Sequence, residues 1–277
     1  MNATTNSTRG SFWLAELTHY ADPVPGYPDS IRVVDASLAG QPARFIAVVP
    51  DPRNRFPRAR NGEVGLVEGW EIARAVREII AADQHHRIRT PIIAVIDVPS
   101  QAYGLREEGF GIHQALAGAA AAYASARLEG HPVIGLIVGH AISGAFLAHG
   151  YQANRLIALH DPRIQIHAMG KQSAARITLR SVEALEKLAA TIPPMAYDID
   201  SFASLGLLWR SLRLQNPDQP AATDITAVMA ALEDALIDIR NSSDRGLGGR
   251  TGTKHRQATD TVREHLHRQW MDSASQL

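Results

Sequence analysis

The sequence predicts an α/β protein built on a mainly parallel sheet, and three observations support this fold class. Short apolar runs rich in β-branched residues alternate with longer amphipathic segments along most of the 277 residues. The short runs are apolar on both faces, which is typical of parallel strands covered by helices. The composition, with 45% hydrophobic and 20% charged residues, is ordinary for a globular protein.

The first half of the chain is predicted to alternate between helix and strand. A short helix over 11–20 ends at the proline-rich segment 23–28, because proline cannot continue a helix. Ile72, Val76 and Ile79 share one face and predict a helix over 63–82. Gly130 marks the end of the next predicted helix. The remaining predicted elements of this half are strands at 43–49, 91–97 and 132–138 and helices over 111–129 and from Ser143.

The second half is predicted to be mostly helical. Six apolar residues at helical spacing predict a long amphipathic helix over 224–240. The polar, glycine-rich stretch 241–254 indicates a flexible link before a terminal helix at 255–272. The other predicted elements are short strands at 155–159 and 164–168 and helices over 170–177 and 181–191.

The chain is expected to divide into three regions: an N-terminal extension over 1–30, one domain over 31–240, and a link with a C-terminal tail over 241–277. Its 28 basic and 28 acidic residues give no net charge, which argues against a nucleic-acid or membrane-surface binder. The absence of cysteine excludes disulfides, thiolate nucleophiles and cysteine-ligated metals. Histidine spacing matches no metal site. Without a signal peptide or a bilayer-spanning apolar run, a cytoplasmic location is expected.

The stretch VIGLIVGHAISGAFLAHG, residues 133–150, carries the chief functional signal. A buried strand is predicted to enter a helix through a turn of small residues at 139–144. The first N–H groups of a helix have no partner within it, and the helix dipole makes that end positive. We therefore expect the backbone N–H groups of Ile142, Ser143 and Gly144 to stabilise an anion. The alternative is an ordinary connection between a strand and a helix.

The loop VPSQAYGLREEG, residues 98–109, follows the neighbouring predicted strand and should reach the same sheet edge. Its residues Ala102, Tyr103 and Gly104 are predicted to add further N–H groups to the pocket. Glu107 and Glu108 are interpreted chiefly as caps of the helix that follows. The predicted substrate-binding residues are Gly170, Lys171 and His140.

A serine hydrolase is a further alternative, because small residues surround Ser143 at a strand-to-helix turn. Such an enzyme also needs an acid and a histidine. Asp161 and His167 are the nearest candidates, but they are too close in sequence to occupy separate strand ends easily. The sequence therefore disfavours this reading.

These segments resemble the carboxyltransferase branch of the crotonase-like (ClpP/crotonase) superfamily. This resemblance implies repeated β-β-α units and a helical C-terminal region. His140, Ala141 and Ile142 depart from the glycine-rich turn of the biotin-dependent carboxyltransferases. The matching residues are Asp97, Pro99, Ala102 and Tyr103 in the loop and Gly139, Ser143, Gly144 and Ala145 in the turn.

A closer resemblance, specific over 91–200, is to the gamma subunit of biotin-independent malonate decarboxylase. The segments GHAISGAFLAHG, YQANRLIALHDP and HAMGKQSAARITLRSVEALEKLAATIPPMAYDI carry it. It implies a heterodimer with a homologous beta subunit. Together the two would decarboxylate a malonyl thioester on an acyl carrier (delta) subunit to an acetyl thioester and carbon dioxide.

The resemblance further implies that the carrier bears a phosphoribosyl-dephospho-CoA arm, loaded with malonate by an acyl-carrier transferase (alpha) subunit. No cofactor, biotin or metal would be bound by this chain itself. Backbone N–H groups would stabilise the enolate that decarboxylation leaves. Two alternatives stay open: a carboxyltransferase subunit of a biotin-dependent acyl-CoA carboxylase, and a noncatalytic scaffold that docks the carrier.

Overall fold

The computed structural model describes residues 8–274, which form a mixed seven-stranded sheet flanked by helices. The strands are β1 (Ile31–Leu38), β2 (Gln41–Val48), β3 (Ile92–Val98), β4 (Val133–Ile142), β5 (Arg155–Leu159), β6 (Ile166–His167) and β7 (Arg210–Leu212). The helices are α1 (Arg9–Leu17), α2 (Leu66–Ala82), α3 (Leu105–Gly109), α4 (Ile112–Leu128), α5 (Ser143–Ala148), α6 (Lys171–Ile177), α7 (Val182–Ala189), α8 (Ile199–Ser204), α9 (Ala222–Asn241) and α10 (Gln257–Ala274). The ends of the two predicted terminal regions, 1–7 and 275–277, lie outside the described residues.

The strand order is β1-β2-β3-β4-β5-β7, and β6 pairs with the end of β4. All neighbours are parallel except β1 and β2, which form an antiparallel hairpin. The mainly parallel sheet predicted from the apolar runs is therefore confirmed. The prediction missed β1 because Arg32, Asp35 and Ser37 interrupt its apolar residues, as expected for a strand with one partly exposed face. It also missed β7 and α8, which are only three and six residues long.

Helix α1 packs into the hydrophobic core of the sheet, with Trp13 and Leu17 fully buried. It begins two residues before the predicted start, and its first residues make long-range contacts. Arg9 donates to the carbonyl of Val138 at 3.3 Å and binds the carboxylate of Asp161 at 2.6 Å. The indole N–H of Trp13 donates to the carbonyl of Pro217 at 3.0 Å. The N-terminal segment thus covers one face of the sheet.

Strand β4 continues through residues 139–142, where the sequence predicts a turn. Two features explain the difference. Ile96 pairs with Ile137 and Val98 with Ala141, so β4 bulges beside Asp97 and resumes its pairing. The Asp97 carboxylate accepts the N–H of His140 at 3.0 Å within this bulge. Strand β6 then supplies a second partner for the end of β4.

The loop predicted over 98–109 contains the short helix α3, and the predicted flexible link is anchored to the core. Arg250 in this link is buried and donates hydrogen bonds to the carbonyls of Tyr151, at 2.7 Å, and Ala153. Burial lowers the pKa of Arg250 to about 10. Among the described residues, no helix is long and apolar enough to cross a membrane.

Candidate active site

The two segments predicted to form the pocket meet at the junction of β4 and α5. Val98 pairs with Ala141, which brings the loop after β3 beside the end of β4. A Cβ atom built on Gly144 would lie 2.1 Å from Oε1 of Gln101. The amide of Gln101 therefore lies directly over Gly144, and a larger residue at this position would have to displace it. Gln101 was not singled out from the sequence, since nothing in its neighbourhood reveals this contact.

Ser143 makes the sharp turn from β4 into α5. Its φ of +68° lies in the left-handed region, which costs a non-glycine residue on the order of 1 kcal/mol. The pairing of Ile142 with His167 in the parallel β4–β6 ladder directs the N–H of Ser143 to the carbonyl of His167, whereas the N–H of Gly144 lies in the first turn of α5 and has no acceptor within that helix. Both residues are partly buried. A single candidate donor, the N–H of Gly144, thus stands in the first turn of α5.

Ala102 and Ile142 are positioned differently from the other predicted pocket residues. The N–H of Ala102 donates to the carbonyl of Val64 at 2.8 Å, so we remove it from the candidate donors. Ile142 is the last residue of β4 and pairs with His167, so it belongs to the sheet rather than to a turn. Tyr103 and Gly104 follow on the open side of the loop, where Tyr103 is 48% exposed.

The predicted substrate-binding residues lie on the other side of the β4–α5 junction. A Cβ atom on Gly170 would be 3.9 Å from Cγ2 of Ile142. The ammonium group of Lys171 pairs with Glu186 at 2.7 Å, which uses one of its three N–H donors. The ring of His140 accepts the N–H of Gln165 at 3.4 Å, which leaves its other nitrogen available.

The arrangement contains no catalytic serine–histidine pair. Ser143 makes no side-chain hydrogen bond to any histidine in the described part of the chain, although a serine nucleophile requires a base within such reach. Asp161 is held by Arg163 and Arg9, and these hydrogen bonds keep the pKa of its carboxyl well below the usual range. His167 stacks on Tyr197 with ring centroids 4.2 Å apart. The hydrolase reading is therefore not supported.

Glu107 and Glu108 lie in the first turn of α3, where acidic residues are favoured, but neither makes a capping hydrogen bond. Gly104 is the N-cap of α3, and no side chain caps this end. Glu107 is only 4% exposed, yet its carboxyl group has no hydrogen bond or ion pair among the described residues. The exposed side chain of Arg58, which also lacks such a partner, lies on the same side of Gly104. The local sequence predicted neither the burial of Glu107 nor the approach of Arg58 to Gly104.

Behind the site, the buried His149 links α4 to β3. Its Nε2–H donates to the carbonyl of Val95 at 3.1 Å, and its Nδ1 accepts the hydroxyl of Tyr123 at 3.1 Å. Burial lowers the pKa of His149 to about 4, so the ring is neutral in the folded protein. In residues 8–274, no three histidine, aspartate or glutamate side chains converge in a way that could hold a metal ion.

The fold and this junction define a crotonase-fold carboxyltransferase-like subunit. Transcarboxylase 12S, in a crystal structure with methylmalonyl-coenzyme A and methylmalonic acid bound, matches with a TM-score of 0.64 at 18% identity. The match covers 87% of this chain and 43% of that chain, and at this identity it supports the fold alone. The crotonase-like fold implied by the sequence resemblance is confirmed.

The chain belongs to the malonate decarboxylase gamma subunit family, whose model matches residues 59–270. One chain in the crystal structure of a Pseudomonas malonate decarboxylase hetero-tetramer in complex with coenzyme A is 60% identical to this chain. The match has a TM-score of 0.91 and covers 95% of this chain and all of that chain. A Pseudomonas MdcD-MdcE hetero-dimer is 59% identical, with a TM-score of 0.87 over the same shares. The resemblance drawn from the sequence is confirmed.

A curated relative carries a different description. The malonyl-S-ACP:biotin-protein carboxyltransferase MADD of Malonomonas rubra is 39% identical over 155 residues. The match covers 55% of this chain and 53% of that protein, so the chain spans about half the length of this relative.

Proposed function

We propose that this chain, together with a homologous beta subunit, decarboxylates a malonyl thioester carried on an acyl carrier subunit. The products are an acetyl thioester and carbon dioxide. The carrier presents the thioester on a phosphoribosyl-dephospho-CoA arm, an alpha subunit loads the malonate, and the complex works in the cytoplasm. The family membership supports this proposal, as do the coenzyme A and malonate named in the Pseudomonas hetero-tetramer structures.

One observation carries the mechanism: the N–H of Gly144, at the second position of α5, has no acceptor within that helix and stands beside the amide of Gln101. Loss of carbon dioxide from a malonyl thioester leaves an enolate whose negative charge gathers on the thioester oxygen. Fixed donors aimed at that oxygen lower the barrier, and one such donor is typically worth about 3–4 kcal/mol. This chemistry needs no nucleophile or metal, in keeping with the unpaired hydroxyl of Ser143. The alternative is that the pocket of the beta subunit holds the thioester oxygen, in which case the donors of this chain orient the departing carboxylate.

Exposed apolar side chains near the site support the proposal that a partner subunit completes it. Tyr103 is 48% exposed and Leu105 is 96% exposed, and both follow Gln101, whose amide contacts the Gly144 position, in the chain. Large apolar side chains left in water at the edge of a cleft are typical of an interface. A hetero-dimer is also what the Pseudomonas MdcD-MdcE structure contains. We therefore expect the chain to be inactive without the beta subunit.

A second candidate function is carboxyl transfer to biotin, and the similarity to the Malonomonas rubra carboxyltransferase favours it. The two functions share the same first step, because both break the bond between the malonyl carboxylate and its neighbouring carbon. They differ in the acceptor. Release of free carbon dioxide distinguishes the decarboxylase from a transferase, which makes carboxybiotin.

The test is to co-express this chain with its beta subunit and to assay each alone and both together. Malonyl-CoA labelled in the free carboxylate serves as the thioester, with and without biotin. We expect labelled carbon dioxide only from the pair, in amounts that biotin does not change. Label found on biotin would contradict the decarboxylase proposal. Normal assembly without any release of carbon dioxide would favour the carrier-docking scaffold.

A further inference from the structure

Two exposed aromatic side chains line one cavity of about 330 Å³ beside α2 and α3. Trp70 of α2 is 46% exposed, and Phe110, which follows α3, is 64% exposed. Phe56 and Leu66 line the same cavity and are buried. The volume lies within the range of small-molecule sites. Large aromatic rings left in water around a concave apolar wall indicate a ligand that stacks on them.

Helix α4 holds the indole of Trp70 in a fixed position. A Cβ atom built on Gly118 would lie 2.8 Å from Cζ3 of this ring, so the ring packs directly against the helix. A residue larger than glycine at this position would have to displace the indole. A ring that is already immobilised loses little conformational entropy when a flat ligand stacks on it. Trp70 is therefore a preorganised stacking surface.

Two guanidinium groups stand at this cavity without an acidic partner. Arg55 and Arg106 line the cavity, and their Cζ atoms lie 4.9 Å and 5.3 Å from the ring centroid of Phe56. The Cζ atom of Arg106 is also 5.7 Å from the ring centroid of Phe110. Neither guanidinium group has a hydrogen bond or an ion pair within residues 8–274. The two positive charges are at most about 10 Å apart and repel each other.

The chemistry of this lining fits a nucleotide. None of the described residues that line the cavity is acidic, so its two arginines attract an anion. A guanidinium group presents a planar set of N–H donors that matches the oxygens of a phosphate, and a base stacks on aromatic faces. A protein partner would instead cover a broad surface of about 800 Å². Rings and arginines that converge on one cavity therefore favour a base with a phosphorylated ribose.

The cavity lies within reach of the candidate site along one loop. Gln101, whose amide lies over Gly144, and Arg106 are five residues apart in the chain. Five residues span at most about 18 Å. In a CoA-like arm, the flexible pantetheine chain separates the thioester from the nucleotide by a distance of this order. A second cavity of about 470 Å³, which shares Arg55 and Trp70 with the first, gives the arm further room.

We propose that this cavity binds the nucleotide end of the carrier arm while the malonyl group reaches the β4–α5 junction, an inference that rests on the proposed decarboxylation. The adenine ring stacks on Trp70 and Phe110. The pyrophosphate that joins the adenosine to the arm pairs with Arg55 and Arg106. This part of the substrate takes no part in bond breaking. Its binding therefore lowers the KM for thioesters that carry the nucleotide and leaves kcat nearly unchanged.

The test compares malonyl-CoA with malonyl-pantetheine, which lacks the nucleotide, in the complex with the beta subunit. The variant carries Arg55→Gln and Arg106→Gln, and the matched control is Arg87→Gln. Arg87 is also exposed and has no hydrogen bond or ion pair in the described chain, but it precedes β3 at the opposite edge of the sheet. The KM for malonyl-CoA is expected to rise about 10-fold or more in the double variant, because charge-assisted hydrogen bonds to phosphate are lost. The kcat and the reaction of malonyl-pantetheine should stay nearly unchanged.

A second measurement is the direct binding of ADP to the complex by isothermal titration calorimetry. The wild-type complex should bind ADP. Trp70→Ala should weaken this binding by about 5- to 100-fold, the usual worth of one base stacked on an aromatic ring.

Three kinetic results would overturn the proposal: an unchanged KM for malonyl-CoA in the assembled double variant, an equal loss with both thioesters, or an equal defect in Arg87→Gln. Loss of the beta subunit from a folded double variant would also refute it, because the arginines would then belong to a protein interface. If the double variant does not fold, Trp70→Ala decides, and ADP binding as tight as that of the wild type refutes the proposal. If the wild-type complex decarboxylates neither thioester, the proposed function fails, whereas ADP binding that depends on Trp70 would still establish the nucleotide site.

Discussion

Replacing Gly144 with alanine tests whether the β4–α5 junction is a reaction site. The new methyl group would lie 2.1 Å from Oε1 of Gln101 and 3.2 Å from Cδ1 of Leu116. Ordinary contact requires Gln101 to retreat by more than about 1 Å. Because the obstructing atom ends a flexible side chain, we expect the fold to adapt at a cost of about 1 kcal/mol or less.

The displaced amide and the added methyl group would occupy the space beside the N–H groups of Ser143 and Gly144. Loss of one such donor typically lowers kcat by about 100- to 1,000-fold, equivalent to about 3–4 kcal/mol. The assay is carbon dioxide release from malonyl-CoA by the complex with the beta subunit, alongside size-exclusion chromatography and thermal unfolding. Gly109→Ala is the control, since a Cβ atom there meets nothing within 4 Å. Full activity of an assembled Gly144→Ala complex would refute the pocket and favour a scaffold.

Further predictions concern the β4–α5 junction and the buried residues packed behind it. Ser143→Ala should keep most of the decarboxylase activity, because it preserves the backbone N–H; an inactive variant would instead indicate that Ser143 is a nucleophile. Ser143→Gly should raise the free energy of unfolding by about 1 kcal/mol, because glycine adopts the left-handed φ without strain. Gly139→Ala should lower the free energy of unfolding, measured by urea titration, by about 3 kcal/mol or more. The new Cβ would lie 1.9 Å from Oδ1 of Asp97 and displace a carboxylate that accepts two backbone N–H groups. A loss below about 1 kcal/mol would contradict this expectation. Burial lowers the pKa of His149 from 6.5 to about 4, so the unfolded chain binds a proton first as the pH falls. The free energy of unfolding of the wild type should therefore fall by about 3 kcal/mol more than that of His149→Gln between pH 7 and pH 4. If the two free energies fall equally with pH, the lowered pKa of His149 is not the cause.

The long periodic segments made most of the sheet and its covering helices predictable. Isoleucine and valine spacing located α2, and the apolar runs located β3 and the first part of β4. The end of β4 was missed because its last pairs depend on β6, which contributes only Ile166 and His167. Such pairing is a long-range property that a local pattern of small residues does not reveal.

The candidate site was predictable only in part, for a similar reason. Small residues at Ser143 and Gly144 signalled a close approach to the main chain; the N–H of Gly144 lies in the first turn of α5, whereas that of Ser143 continues the β4–β6 ladder. Ala102 showed the same small-residue signal, but Val64 accepts its N–H through a contact 38 positions away in the sequence. The environment of Glu107 depends on Arg58, which reaches Gly104 from a distant loop. Neither contact can be predicted from the residues that are adjacent in the sequence.

The docking of α1 has a consequence for how the protein is made. Trp13 finds its hydrogen-bond acceptor 204 residues later, at Pro217, and Arg9 pairs with Asp218. At a synthesis rate of about 5–20 residues per second, this first helix emerges from the ribosome about 10–40 s before its last partners exist. Strands β2, β3 and β4, on which α1 packs, are made well before these polar partners. The hydrogen bond and the ion pair that fix α1 in place therefore form only after most of the sheet has been synthesised.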